Sequence, residues 1–228
     1  MPAAVFAREC DMINPLMSML PRSLPRPDRM RESLPRLLVT PSIGKVIPDL
    51  LIAVGIDDVP SALSSLTFLE ATVLSVLANH PIVSCDDLLA ILHIAPNVAD
   101  RLLKRLLGTR LALRRRSGQL VPARIIQPNA TRIFAVEVKL HRWREALAQA
   151  LSYTRFANES YVVLDGTRYR DGNEIASVFA STGIGLVLQF DTSLELLVRA
   201  APHLPIGPER FIALSKLARA KQRSASPS

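Results

Sequence analysis

The chain has 228 residues, 49% of them hydrophobic, and a formal net charge of +8. That length accommodates one domain or two small ones with a real core, and the hydrophobic share argues against disorder. The positive balance favours an anionic partner such as nucleic acid or a membrane surface, yet no apolar run approaches the roughly 18–20 residues that span a bilayer.

At the start of the chain, Arg8, Glu9 and Asp11 interrupt any signal-peptide core. Cys10 and Cys85 match no zinc or redox spacing. Together these predict a reduced, cytoplasmic protein with no membrane segment. His80, His93, His141 and His203 are scattered and read as solvated or satisfied side chains.

Residues 3–20 carry helical periodicity, with Val5, Phe6, Ile13, Leu16, Met17 and Leu20 clustered and Pro15 at a second start or a kink. Residues 21–36 are rich in proline and arginine and read as a loop, where Pro27-Asp28 lacks any strand around it. Leu37–Thr40 and Lys45–Val54 form a predicted hairpin turning near Pro41–Gly44. Asp49, directly after Pro48, then falls mid-strand as the one carboxylate of an apolar run.

The next stretch has an organisation of its own. Thr67-x-x-Glu70 is a capping box opening a helix over Phe68–Asn79, with Leu69, Val73, Val76 and Leu77 inward. Ser84-x-x-Asp87 opens a short helix through Leu92, and Ala95-Pro96 starts a third with Val98, Leu102 and Leu106 on one face. Leu111–Arg115 and Gln119–Val121 read as a hairpin around Ser117-Gly118. Three helices and a hairpin resemble a winged helix-turn-helix. From Arg101 to Arg124 there are eight Lys and Arg residues and no acid. Asn97, Arg101, Lys104 and Arg105 lie off the apolar stripe of the third helix, where a recognition helix would meet a major groove. Arg114, Arg115 and Arg116 lie at the hairpin tip, where a wing would track phosphates.

Phe134–Leu140 (FAVEVKL) is a short buried strand. Residues i and i+2 share a strand face, so Glu137 and Lys139 emerge side by side. Burying both charges is costly unless they are paired or bind a metal. Taken alone the triplet is a structural ion pair. Arg142–Phe156 follows as a helix with Trp143, Leu147, Ala150 and Leu151 inward, and it carries Gln149 and Tyr153 one turn apart. Tyr161–Leu164 is the next buried strand, a β-α-β return. A helix over Asn173–Ser181, a hairpin of Gly185–Phe190 and Leu194–Val198, and a helix over Pro208–Ala220 complete the chain before a basic tail expected to be disordered.

Asp49, then Glu137-x-Lys139, then a helix with Gln149-x-x-x-Tyr153 resembles the PD-(D/E)XK nuclease superfamily, and the QxxxY element its RecB-like branch. The resemblance implies an α/β, restriction-endonuclease-like mixed sheet flanked by helices, interrupted by the winged-helix insert. Boundaries follow at 1–60 and 124–220 for the core, 61–123 for the insert and 221–228 for the tail. It implies a metal-dependent deoxyribonuclease using Mg²⁺ or Mn²⁺ held by Asp49, Glu137 and the Val138 carbonyl, with Glu9 as a further candidate on the first helix. All-oxygen ligation suits those cations. Lys139 would orient the attacking water or stabilise the transition state, while Gln149 and Tyr153 would position the scissile strand. The departure from the family pattern is the 87 residues between Asp49 and Glu137, which a domain inserted at neighbouring points tolerates. Two other readings stay open: a non-catalytic DNA-binding regulator on a nuclease-like fold, and an adaptor whose winged helix and Pro/Arg-rich loop bind a protein. On the nuclease reading a homodimer also stays open, since one domain of this size often cuts one strand.

Overall fold

The computed structural model describes residues 6–23, 35–55, 60–80, 84–126, 130–169 and 173–225. Val5, the proline- and arginine-rich stretch 24–34 with Pro27-Asp28, Gln127 and the last three residues lie outside the described residues.

Six strands form one mixed sheet in the order β1 (Arg36–Val39), β2 (Leu50–Val54), β5 (Arg132–Lys139), β6 (Glu159–Asp165), β7 (Gly185–Gln189) and β8 (Leu194–Val198). The neighbours β5–β6 and β6–β7 are parallel, and the outer pairs are antiparallel. Strand alternation sends Leu50, Ile52, Phe134, Val136, Val138, Tyr161 and Val163 to one face, where Met12, Leu16 and Leu20 of α1 (Glu9–Ser23) cover them. Leu51, Ala53, Ala135, Val162 and Leu164 point to the opposite face, beneath α5 (Trp143–Tyr153), α6 (Asn173–Thr182) and α7 (Pro208–Ala225). Because both faces are covered, β5 and β6 read as near-continuous apolar runs. Their charged residues are therefore the informative ones.

The stretch between β2 and β5 folds as expected into three helices, α2 (Phe68–Asn79), α3 (Cys85–Leu92) and α4 (Pro96–Gly108), and a hairpin of β3 (Ala112–Arg114) and β4 (Leu120–Pro122). Both capping boxes form: the Glu70 and Asp87 amides donate to Thr67 Oγ1 and Ser84 Oγ, and the cap amides donate back. Gly118 takes φ +83° at the hairpin turn, a conformation that costs glycine least. This unit packs on α7, with Ser75 Oγ donating to the Ile206 carbonyl at 2.6 Å and Arg219 to that of Ser64. Its Leu74, Leu77 and Leu106 join the same apolar cluster as Phe211 and Leu214 of α7.

Several expectations are corrected. The first helix begins at Glu9, continues through Pro15, and takes in Pro21–Ser23, which the sequence places in a loop; Arg36 likewise belongs to β1. Leu69 and Leu151 are surface residues, because the helices bury Leu74 and Tyr153 instead. Arg124–Ile126 is a short 3-10 turn leading into β5, which starts at Arg132. The terminal helix runs on to Ala225 through most of the predicted tail. No described helix is long and apolar enough to cross a membrane.

Candidate functional site

Asp49 sits immediately before β2, not within it, because Ile43 and Val46 close a small bridge and the chain reaches the sheet only after Pro48. The antiparallel register pairs Leu50 with Val136, so Asp49 lies across from Glu137 at the next position. Its Oδ2 accepts a hydrogen bond from the Val138 amide at 2.8 Å, which fixes the carboxylate against the backbone of the Glu137–Lys139 triplet. Asp49 and Glu137, with 87 residues between them in the sequence, are thus neighbours.

Glu137 is 2% exposed. Its Oε1 lies 2.9 Å from Lys139 Nζ, and its Oε2 accepts a 2.5 Å hydrogen bond from the Tyr153 hydroxyl on α5. That hydroxyl also lies 3.3 Å from the Ile47 carbonyl. Lys139 reaches a second carboxylate, Glu9 Oε2, at 3.3 Å. Glu9 opens α1, so an element from each face of the sheet meets at one end of β5. Asp11 turns away from the site and pairs with Arg8.

The electrostatics follow from crowding. Burial pushes the Glu137 carboxyl above the usual range and Asp49 adds to it, against the opposing pull of Tyr153 and Lys139. Burial raises Asp49 too, opposed by the Val138 amide and Lys139. Lys139 is held above its ordinary value by Glu137, Asp49 and Glu9, which outweigh burial. Tyr153 is driven far above the tyrosine range by burial and by the carboxylates, so it remains a protonated donor.

Tyr153 is 1% exposed. The role implied by the resemblance, contact with the scissile strand, is therefore corrected: the phenol supports Glu137 from behind. Gln149 is half-buried and its Oε1 is buried without a hydrogen-bond partner. No group of three His, Cys, Asp or Glu side chains arranged to hold a metal ion occurs among the described residues. The donors that do converge are two carboxylates of hard oxygen. That set fits Mg²⁺, which binds through one or two carboxylates and keeps several waters.

On the basic unit, Asn97, Arg101, Arg115 and Arg116 are exposed, and Arg114 is exposed with a 3.5 Å bond to the Gly118 carbonyl across the turn. Lys104 is exposed and shares Asp100 at 2.7 Å. Arg105 is half-exposed but already has partners within the fold. Its Nε lies 2.9 Å from Oε1 of Glu70, whose side chain is 1% exposed, and its terminal nitrogen donates to Ser65. It is a strut between α4 and α2. Arg105→Ala leaves the Glu70 carboxylate short of a partner and is expected to cost about 1–3 kcal/mol in a denaturation titration, with DNA affinity unchanged.

The sequence reading missed two buried polar groups beside the site. Asp165 ends β6 fully buried and Gln189 ends β7 fully buried, paired in register, with Gln189 Nε2 donating to the Met12 carbonyl of α1. A carboxylate closing an otherwise apolar run was the available signal. No protein-family model, no curated protein and no solved structure matches the chain.

Proposed function

We propose that this chain is a metal-dependent deoxyribonuclease, with Asp49, Glu137 and Lys139 as the catalytic group and the basic helical unit as its duplex-binding part. The observation that carries the reading is the convergence of Asp49 on Glu137 and Lys139 across 87 intervening residues. Buried like charges that raise each other's pKa belong to functional sites more often than to scaffolds. The strand sequence of two antiparallel pairs, a helix crossover and a parallel partner, with an acidic residue on the first helix, also agrees with the restriction-endonuclease-like core.

Asp49 and Glu137 would hold Mg²⁺ or Mn²⁺, with the Val138 carbonyl completing the set. When bound, the cation supplies polarisation of the phosphate and acidifies a water. Lys139 presents a charged ammonium beside the two carboxylates, placed to stabilise negative charge developing on the phosphate. Before a cation arrives, that ammonium offsets their repulsion. Glu9 restrains Lys139 from the side of α1. Tyr153 holds the Glu137 carboxylate in one orientation through Oε2.

Positioning partners behind a metal ligand commonly matter 10–100-fold. Tyr153→Phe keeps the ring and removes the donor, so cleavage and Mn²⁺ affinity are expected to fall by roughly that factor. The test of the function is Mn²⁺ titration of the protein together with release of fragments from duplex DNA. Saturable binding that Glu137→Ala abolishes, with cleavage lost in parallel, is the expected result. Salt-sensitive DNA binding without metal binding or cleavage would instead identify a DNA-binding regulator.

A further inference from the structure

We propose that Arg168, with Arg142 and Arg144 beside it, forms a phosphate-holding collar at the carboxyl edge of β5 and β6 that receives the backbone of the strand to be cut. The proposal rests on the nuclease reading and assigns the substrate contact that reading leaves open.

β5 and β6 are parallel and end together, with Lys139 in register with Leu164 and Asp165 following directly. Asp165 is fully buried, and its carboxylate is spent on organising the turn after β6. The Thr167 amide and Oγ1 donate to Oδ1 at 3.0 and 2.7 Å, and Arg168 Nε donates to Oδ2 at 3.2 Å. Arg168 is itself 45% exposed, and among the described residues its side chain makes no other hydrogen bond. A buried carboxylate thus anchors the guanidinium through Nε and leaves both terminal nitrogens unbonded. A guanidinium fork of this kind matches phosphate geometry, and fixing it beforehand reduces the entropy lost on binding.

The same turn continues into Tyr169, which meets the backbone of Trp143 at the start of α5. There Arg144 lies over the Trp143 ring at 4.4 Å, and Arg142 is largely exposed, sharing Glu145 at 3.5 Å. Two loops from adjacent parallel strands therefore bring three guanidinium groups to the edge where Lys139 ends β5. The carboxyl edge of parallel strands is where α/β sheets bind ligands. A phosphodiester backbone supplies the repeating anions that three separated arginines fit.

The test measures binding of a labelled DNA duplex in EDTA as salt is varied. Arg168→Ala is expected to weaken binding roughly tenfold and to flatten the slope of log K against log salt by about 0.9, the value for one phosphate contact. Arg168→Lys keeps the charge but loses the anchored fork, so it weakens binding with the slope retained. Wild-type affinity and slope in Arg168→Ala would overturn the collar. If Lys139→Ala still abolished cleavage, the nuclease reading would stand without it. Failure of the wild-type protein to bind DNA at low salt would overturn both.

Discussion

Asp49→Asn is expected to stabilise the metal-free protein while removing the proposed nuclease activity. The Asp49 and Glu137 carboxyls both sit above their usual values, chiefly through burial. Between the ordinary carboxylate value near pH 4 and those raised values, the folded state binds more protons than the unfolded one. The stability these groups contribute is therefore fully present below the window and is lost as pH rises through it. Holding both in the charged form therefore carries a net cost. Asparagine keeps an oxygen to accept from the Val138 amide and removes one charge, a gain on the order of 1 kcal/mol, or about 2–4 °C in Tm for a chain of this size. Cleavage is expected to fall roughly 10³-fold, as for loss of a group that stabilises the transition state. On the proposed reading, Mg²⁺ raises the Tm of the wild type and not of the variant, which lacks one of the two carboxylates that would hold the cation. Thermal scans in EDTA from pH 4 to 8 check this. A lower Tm for Asp49→Asn at pH 7 would contradict the crowding described above.

Arg210→Met is expected to be the most destabilising single change. Arg210 is fully buried on α7, and burial lowers its guanidinium pKa to about 10. It donates to the Thr131 carbonyl at 2.6 Å, to Asn158 Oδ1 at 2.9 Å and to the Phe156 carbonyl at 3.3 Å. Thr131 precedes β5, and Phe156 and Asn158 lie between α5 and β6, so one side chain ties the start of β5 to the turn that leads into β6. Asn158 extends the tie, accepting from the Ile133 amide and donating to the His203 carbonyl. Methionine fills similar space and leaves buried acceptors without donors. The expected cost is about 1–3 kcal/mol for each carbonyl left without its donor, or roughly 2–12 °C in Tm for each. A loss under 1 kcal/mol in urea titration would show that the carbonyls find other partners.

The parts of the site visible in the sequence were those set by local periodicity. A two-residue repeat places Glu137 and Lys139 on one face whatever the fold, and the single carboxylate of KVIPDLLIAV marks Asp49. The strand expected from Lys45 begins only at Leu50, because the bridge between Ile43 and Val46 delays it, so Asp49 stands just before the strand and not in its middle. The capping boxes were equally legible, since each closes within four residues. What the pattern did not carry is partner choice across the chain. Arg105 lies off the apolar stripe of α4 as a recognition residue would, and only the packing of α2 reveals that Glu70 claims it. Tyr153 reads as a polar residue one turn after Gln149, and only the tilt of α5 on β5 turns its hydroxyl onto Glu137. Arg210 lies in a basic helix where nothing local distinguishes it from the solvated arginines around it.

We propose that the Asp49–Glu137–Lys139 group cuts DNA. It is tested most directly by incubating linear, closed circular and single-stranded DNA with the wild type and Lys139→Ala in Mg²⁺, Mn²⁺ or EDTA. Cleavage that needs the cation and is lost in Lys139→Ala is the predicted result, with the circular substrate deciding between internal and end-dependent cutting. Cleavage of equal rate in wild type and Lys139→Ala, or cleavage that persists in EDTA, would contradict it.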